Sequence, residues 1–244
     1  MSRRIATILT LNVILAVGVV STLVAQQPAG PAAEKGAVKG KAGGAAKGKA
    51  ATRPTVFFRE TWKQSAKGGE HPLLAENLSN PNLELKLYGN APGEGILLTG
   101  IDGDENNPTH MWTGTCEMAC MATFRHKTNF ANLTGLARMK INIKTSGFHQ
   151  VRPVIKTEEG MWLVGNAAVS SLSDWLVSEI SFADVKWLRL NPTKVNTSGV
   201  WIENPDLSKI DEIGVVDLTP GSGHGPGGWS DIAEIEVYAA SVPR

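Results

Sequence analysis

The sequence predicts an all-β protein whose folded part, residues 54–244, is a β-sandwich. Segments rich in apolar, β-branched and aromatic residues recur about every 10 to 15 residues, with turns of Gly, Asn, Asp and Pro between them. In the same range, no segment of about twelve or more residues shows a helical period of apolar residues. A chain of this length can bury one core between two sheets, so we expect a single domain.

The first 25 residues predict a secretory signal peptide. Arg3 and Arg4 precede an apolar run that ends at Val24, and the small residue Ala25 follows. We therefore expect cleavage after Ala25 and export to the periplasm, the cell surface or the medium. An uncleaved membrane anchor is the alternative, since about 20 apolar residues span a bilayer. Contact with a membrane is expected only through this segment.

Residues 26–53 predict a disordered linker, because they are almost entirely Ala, Gly, Lys and Pro and cannot form a core. Residues 1–53 hold eight of the 24 basic residues of the chain and one of its 23 acidic residues. The domain 54–244 therefore has 16 basic and 22 acidic residues and a net charge near −6. This charge argues against nucleic acid as a partner, because phosphates require clustered cations.

The strands of the domain are predicted from alternation of apolar and polar residues. Alternation is cleanest at residues 138–144, where Met139, Ile141 and Ile143 share one face, which we expect to meet a core. Arg138, Lys140, Asn142 and Lys144 share the other face, which we expect to meet solvent. Residues 231–238 repeat the pattern. The predicted strands, in chain order, are 55–60, 82–89, 95–101, 121–126, 137–145, 148–157, 161–165, 175–182, 185–190, 209–218 and 231–238.

The two cysteines, Cys116 and Cys120, predict a disulfide, as expected for an exported chain. In a straight strand their Cα atoms would lie roughly 13 Å apart, whereas a disulfide spans about 4.4 to 6.8 Å. The segment between them is therefore expected to form a tight loop. Two reduced, buried cysteines on one strand are the alternative. Two cysteines without a CxxC pair or an HxxxH motif do not predict zinc.

A run of landmarks in the second half of the domain carries a family resemblance. The strand pair at 137–157 is followed by Trp175, which leads a strand ending at Phe182, and then by NPDLSKIDEIGVVDL at residues 204–218. This order resembles the galactose-binding-like jelly roll. It is similar to the complex I intermediate-associated protein family and to the β-glucan-binding modules attached to cellulases. The resemblance implies a jelly-roll sandwich and, as a class only, a sugar-binding module.

The stretch PGSGHGPGGWSD, at residues 220–231, departs from that pattern. It holds five glycines and His224 and precedes a predicted strand. A phosphate-binding loop requires a following helix and a lysine, so this interpretation is rejected. The stretch is either a surface turn whose glycines adopt positive φ or the rim of a binding site that carries His224 and Trp229.

The tryptophans supply the candidate binding site. Sugar rings lay their C–H faces against aromatic rings, so a tryptophan beside a polar turn is typical of a saccharide site. Trp175 and Trp187 lie in regular alternating runs and are predicted to be core. The predicted ligand-binding residues combine turn-placed tryptophans with polar side chains, many of them near strand ends. They are Trp112, Trp162, Trp229, Arg125, His126, His149, Arg152, Glu203 and His224.

One acidic turn suggests a metal site. Asp102, Asp104 and Asn106 alternate in IDGDENNP, as do the first ligands of a calcium loop. Asn107 and Thr113 replace the glycine and the bidentate glutamate of an EF-hand, so only a simpler calcium site is expected. Calcium is the one cofactor that the sequence suggests.

The sequence as a whole predicts an exported, non-catalytic module that binds a poly- or oligosaccharide. No spacing of acidic residues selects the carboxylate pair of a glycosidase, and the G-x-S-x-G elbow of a serine hydrolase is missing from the sequence. We assign no catalytic residue. The alternatives are a carbohydrate-active enzyme, either hydrolase or lyase, on the same scaffold, and a protein-binding or assembly domain.

Overall fold

The computed structural model describes residues 53–244, apart from residues 94, 148, 171–172 and 219–227. The predicted signal peptide (1–25), nearly all of the predicted linker (26–53) and His224 lie outside the described residues. In the described part of the chain, no helix is long and apolar enough to cross a membrane.

Seventeen strands and two short 3₁₀ turns make up the regular structure of the described residues. The strands are β1 (Val56–Glu60), β2 (His71–Pro72), β3 (Leu83–Gly89), β4 (Leu97–Thr99), β5 (His110–Trp112), β6 (Cys120–His126), β7 (Asn129–Asn132), β8 (Arg138–Gly147), β9 (Gln150–Thr157), β10 (Trp162–Gly165), β11 (Val169–Ser170), β12 (Leu176–Ser181), β13 (Trp187–Asn191), β14 (Asn196–Ile202), β15 (Ile210–Asp217), β16 (Gly228–Tyr238) and β17 (Ala240–Pro243). The 3₁₀ turns are Ala75–Asn77 and Phe182–Asp184.

The strands form two antiparallel sheets. Sheet 1 has seven strands in the order β12-β8-β16-β5-β4-β2, with β1 paired to β16. Sheet 2 has ten strands, of which the main path is β14-β13-β10-β9-β15-β6-β3. The chain crosses between the sheets, as from β8 in sheet 1 to β9 in sheet 2. The predicted all-β jelly-roll sandwich is confirmed.

The core lies between the inner faces of the two sheets. On β8 the side chains of Met139, Ile141 and Ile143 are fully buried, as their alternation predicts. Phe124 on β6 and Ile155 on β9 belong to the same core cluster from the side of sheet 2. Burying each such side chain contributes about 1.5 to 3 kcal/mol to the stability of the fold. The core therefore fixes which faces of the strands point outward.

All predicted strands overlap observed ones, but short and edge strands were missed. The longest of the missed strands, β14, lies between the predicted strands 185–190 and 209–218, where no strand was predicted. β14 is an edge strand of sheet 2 and most of its residues are exposed, so it shows no apolar alternation. Its pairing with β13 through the backbone defines it instead.

The predicted disulfide between Cys116 and Cys120 is confirmed. Their Cα atoms are 6.3 Å apart, within the range that a disulfide bridges. The backbone N–H of Cys116 donates to the carbonyl oxygen of Thr113 at 3.0 Å, which forms the tight turn that the spacing requires. The disulfide therefore closes the connection between β5 in sheet 1 and β6 in sheet 2.

Candidate functional site

The outward face of sheet 1 brings together polar and aromatic side chains from β8 and β16. Lys144 and Ser146 are half-buried and alternate with core residues such as Ile143, so they point away from the core. In the register of the two strands, Trp229 lies opposite Ser146 and Asp231 lies opposite Lys144. Trp229 and Asp231 therefore stand on the same outward face.

A β-bulge gives β16 its change of face. The register with β8 shifts between Ile232 and Glu234. Before the bulge Trp229 and Asp231 face outward, whereas after it Glu234 and Glu236 do so. Bulges re-aim side chains and are frequent next to functional sites. Here the bulge separates the half of the face that carries Glu234 and Glu236 from the half that carries Trp229 and Asp231.

Strand β5 adds a histidine to this face. Trp112 is paired with Asp231, and His110 lies two residues earlier on the same side of the strand. The ring of His110 donates from Nδ1 to the carbonyl oxygen of Pro108 at 2.6 Å, since a carbonyl oxygen only accepts. Its Nε2 lies 3.5 Å from Asp231 Oδ1. In the neutral ring this Nε2 is an acceptor that faces the carboxyl group.

A second half-buried indole reaches the same face from the segment before β12. The ring of Trp175 lies 5.3 Å from the ring of His110, nearly edge-on, and its Nε1 donates to the carbonyl oxygen of Asn106 at 3.2 Å. The ammonium of Lys144 is 5.9 Å from the ring centre of Trp175 and 5.3 Å from that of Trp229. We call the following residues the tryptophan–lysine site: Trp175, Lys144, Trp229, Asp231 and His110.

A cavity of about 300 Å³ opens beside Trp229. Trp175 and Trp229 are each half-buried, so each residue keeps part of its surface accessible to solvent. The volume falls at the lower end of the roughly 300 to 1,000 Å³ of small-molecule sites. The site offers apolar ring surfaces beside a cationic donor and hydroxyl groups. The described residues that line the cavity are Lys144, Thr145, Ser146, Gly147, Ser173 and Trp229.

The electrostatics of the site favour neutral forms of Asp231 and His110. Asp231 is 7% exposed, and its Oδ1 has no hydrogen-bond partner among the described residues. Burial raises the pKa of Asp231 to about 7, against the opposing charge of Lys144. Burial also lowers the pKa of His110, and Lys144 lowers it further. Although Nε2 and Oδ1 lie within ion-pair distance, both shifts oppose an ion pair, because each favours the uncharged form of its group.

The outward face of sheet 2 carries a second group of polar and aromatic side chains. Glu212, only 2% exposed, accepts from Tyr88 Oη at 2.9 Å and from Thr123 Oγ1 at 2.6 Å. Lys156 Nζ donates to it at 3.0 Å and lies 5.6 Å from the ring centre of Trp162. Trp162 is 8% exposed and meets Tyr88 edge-on at 4.9 Å. We call these five residues the sheet 2 cluster; its polar groups bond mainly to one another.

The structure divides the predicted ligand-binding residues between the two faces. Trp229 and Trp112 belong to sheet 1, where Trp112 is buried next to Asp231. Trp162, Arg125 and Arg152 belong to sheet 2. The guanidinium of Arg125 donates to Asp211 at 3.0 Å, and that of Arg152 donates to Gln150 at 3.2 Å. Of the predicted residues that the structure describes, only Trp229 and Trp112 thus reach the tryptophan–lysine site.

Three other predicted residues lie apart from both groups, and His224 lies outside the described residues. His149 is fully buried and its Nδ1 is hydrogen-bonded to the carboxylate of Asp217. His126 is half-buried at the end of β6. Glu203 follows β14 and lines a different cavity, of about 940 Å³. A ligand-binding role for these residues stays a prediction.

The proposed calcium loop uses two of its carboxylate oxygens in local hydrogen bonds. Asp104 Oδ1 accepts from the backbone N–H groups of Asn106 and Asn107 at 2.8 and 3.1 Å. Asp102 accepts from the hydroxyl of Thr109. Within the described ranges, no group of three His, Cys, Asp or Glu side chains is placed to hold a metal ion. Calcium binding by Asp102, Asp104 and Asn106 stays a prediction.

Sequence reasoning missed most of the tryptophan–lysine site. Trp187 is core, as predicted, but the same prediction for Trp175 is wrong, because Trp175 precedes the edge strand β12 and packs on the outward face. A signal for Trp175 was present, since it follows a polar turn as Trp229 does. Lys144 was correctly placed on the polar face of its strand, but nothing local linked it to Asp231 or His110.

No protein-family model and no curated protein matches the chain. Solved structures do match. The family 11 carbohydrate-binding module of a cellulosomal cellulase of Clostridium thermocellum aligns with 71% of this chain and 96% of its own, at 16% identity and a TM-score of 0.41. A structure of the family 11 module from the same organism with a β-1,3-1,4-mixed-linked tetrasaccharide aligns with 71% of this chain and 97% of its own, at 16% identity and a TM-score of 0.40. An exo-β-agarase aligns with 71% of this chain and 25% of its own, at 11% identity and a TM-score of 0.40. These low values assign neither a ligand nor a site residue to this chain.

Proposed function

We propose that this protein is an exported, non-catalytic module that binds a saccharide on the outward face of sheet 1. The observation that carries the proposal is the placement of two half-buried indoles, Trp175 and Trp229, within 6 Å of the ammonium of Lys144. Aromatic rings bind the apolar C–H faces of sugars, and the polar groups between them bind the hydroxyls. The site provides both kinds of contact within one open face.

The polar groups of the site suit a hydroxyl-rich ligand. Lys144 provides N–H donors, and the hydroxyl of Ser146 both donates and accepts. The sheet 2 cluster lacks this capacity, because the carboxylate of Glu212 already accepts from three donors.

Tryptophan variants test the site. Trp229→Ala and Trp175→Ala are each expected to weaken polysaccharide binding roughly tenfold or more, as truncation of an aromatic anchor does. Affinity electrophoresis and isothermal titration calorimetry against a panel of polysaccharides would measure the effect. Trp201→Ala is the matched control, since Trp201 is 53% exposed but lines the cavity beside Glu203. Loss of binding only in the control variant would move the site to that cavity and overturn the proposal.

A carbohydrate-active enzyme is the second candidate, favoured by one observation. A carboxyl group with a pKa of about 7, such as Asp231, suits a general acid. The non-catalytic proposal predicts that no reducing ends and no unsaturated sugars appear with any polymer that binds. Product formation that Asp231→Asn abolishes would establish the enzyme instead.

Export is supported by the N-terminal pattern and by the disulfide between Cys116 and Cys120, since disulfides persist in oxidising compartments. N-terminal sequencing of the protein from cell fractions would test it. A mature chain that begins at Gln26 outside the cytoplasm is expected. A full-length chain in the membrane fraction would support the anchor, and a cytoplasmic chain would contradict export.

A further inference from the structure

Lys144 differs from the other half-buried lysines of the described strands in its charge partners. Lys140, four residues earlier on the same strand and face, lies 3.9 Å from the carboxylate of Glu179. Lys156 on sheet 2 lies 3.0 Å from Glu212 and 3.3 Å from Asp211. Lys144 has no carboxylate within 4.0 Å among the described residues, although it is half-buried as well.

The surroundings of Lys144 make an anionic partner favourable. Two indole rings lie within 6 Å of its ammonium and shield it partly from water, which strengthens its attraction to a negative charge. Partial burial of a charge is costly unless an opposite charge or hydrogen bonds compensate it. The indoles supply only part of that compensation.

The neighbouring acid does not fill this role. Asp231 lies opposite Lys144 in the strand register, but its carboxyl group lies outside ion-pair distance of the ammonium. Burial favours its protonated form, as described above, so it offers little repulsion to an incoming anion. The local charge of the tryptophan–lysine site is therefore positive at mildly acidic pH, although the domain as a whole is acidic.

We propose that the tryptophan–lysine site selects an anionic saccharide, in which a carboxylate or sulfate group on the stacked sugar binds the ammonium of Lys144. The inference rests on the proposed function, because it assigns the ligand class of that same site. Carboxylate and sulfate oxygens share the chemistry that Lys144 recognises, namely charge-assisted hydrogen bonding. Trp175 and Trp229 would stack on the sugar ring, while Lys144 would bind its carboxylate or sulfate group.

The test compares Lys144→Gln with Lys140→Gln in the full-length chain. The probes are dextran and β-glucan as neutral polymers, polygalacturonate and alginate as carboxylated polymers, and dextran sulfate and carrageenan as sulfated polymers. We expect tighter binding of carboxylated or sulfated polymers than of neutral ones, and about a tenfold loss of that binding in Lys144→Gln, as for the loss of a charged hydrogen bond. Lys140→Gln should bind as the wild type does, because Lys140 is paired with Glu179.

The variants share the lysine-rich segment 26–53, so any contact of that segment with a polyanion is the same in all of them. Lys144→Arg retains the charge and should keep binding within a few-fold, which separates loss of charge from loss of folding. The class of polymer affected by Lys144→Gln identifies carboxylate or sulfate as the group recognised.

Two results would overturn the inference and leave the proposed function standing. One is binding of neutral polymers through Trp229 that is as tight as the binding of charged polymers, with neither changed in Lys144→Gln. The other is an equal loss of polyanion binding in Lys140→Gln, which would indicate only a general effect of charge, while neutral polymers still bind through Trp229. Failure of every polymer to bind would overturn the proposed function and the inference together.

Discussion

The two outward faces of the sandwich carry nearly the same side chains in different states. Each has a lysine near a tryptophan, Lys144 at 5.3 Å from Trp229 on sheet 1 and Lys156 at 5.6 Å from Trp162 on sheet 2. Each also has a buried carboxyl group. On sheet 2 the carboxylate of Glu212 accepts three hydrogen bonds, whereas on sheet 1 Oδ1 of Asp231 accepts none from the described residues.

This difference separates a stabilising cluster from a candidate site. Buried polar groups that satisfy one another rigidify a surface and have nothing left for a ligand. On sheet 1, Lys144 has no carboxylate partner among the described residues and so keeps its charge for a ligand, while the unsatisfied buried oxygen of Asp231 costs stability. The comparison therefore predicts that mutations on sheet 2 change folding and that mutations on sheet 1 change binding.

The largest expected effect is on sheet 2. Glu212→Ala leaves Tyr88, Thr123 and Lys156 without their shared acceptor and should lower the free energy of unfolding by about 3 to 5 kcal/mol, as breaking a buried charge pair does. Chemical denaturation at neutral pH would measure it. Saccharide binding by the molecules that remain folded should be unchanged, because Glu212 lies on the opposite sheet.

Glu84→Gln is the control for this variant, since Glu84 lies on the same face but contacts Lys86 and Arg125 near the surface. Exposed ion pairs contribute little, so its stability should match the wild type. If Glu212→Ala lowered the free energy of unfolding by less than about 1 kcal/mol, the sheet 2 cluster would stabilise the fold no more than surface ion pairs do. The comparison between the two faces would then fail.

The next largest effect depends on pH and concerns Asp231. The native carboxyl group keeps its proton up to about pH 7, whereas in the unfolded chain it ionises near pH 4. The wild type therefore loses stability from this group as the pH rises from about 4 to about 7. Asp231→Asn does not titrate, so it lacks this dependence on pH.

The free energy of unfolding of Asp231→Asn, relative to the wild type, should thus increase by roughly 2 to 4 kcal/mol between pH 4 and pH 8 and stay level above that. Denaturant titrations at several pH values would follow this difference. A difference that is the same at all pH values would show that Asp231 ionises normally. The interpretation that Asp231 and His110 favour their uncharged forms would then be wrong.

The fold was predictable to the extent that it depends on local alternation. The alternation at residues 138–144 predicts one core face and one polar face, and the structure places Ile141 in the core and Lys144 outward. The short strand β5 and the edge strand β14 were not predictable in this way. They depend on backbone pairing with partners far away in the sequence, and β14 shows no apolar alternation.

The site was less predictable, because it depends on register between distant strands. Trp229 could be named from its polar turn, but its neighbours could not be named. Lys144 faces Asp231 only through the pairing of β8 with β16, and His110 reaches the same carboxyl group only through β5. Trp175 was assigned to the core because alternation continues through it, although its place before an edge strand leaves it on the outward face.

The smallest effect tests whether the donors of the sheet 2 cluster act individually. Tyr88→Phe keeps the edge contact with Trp162 but removes one of the three donors to Glu212, and it should cost about 1 kcal/mol. Tyr238→Phe is the matched change on sheet 1, where the hydroxyl donates to Glu236 at 2.6 Å and both residues are only half-buried. Water replaces that bond, so the Tm should not change. Equal losses of Tm in the two variants would mean that the faces do not differ in how their polar groups are satisfied.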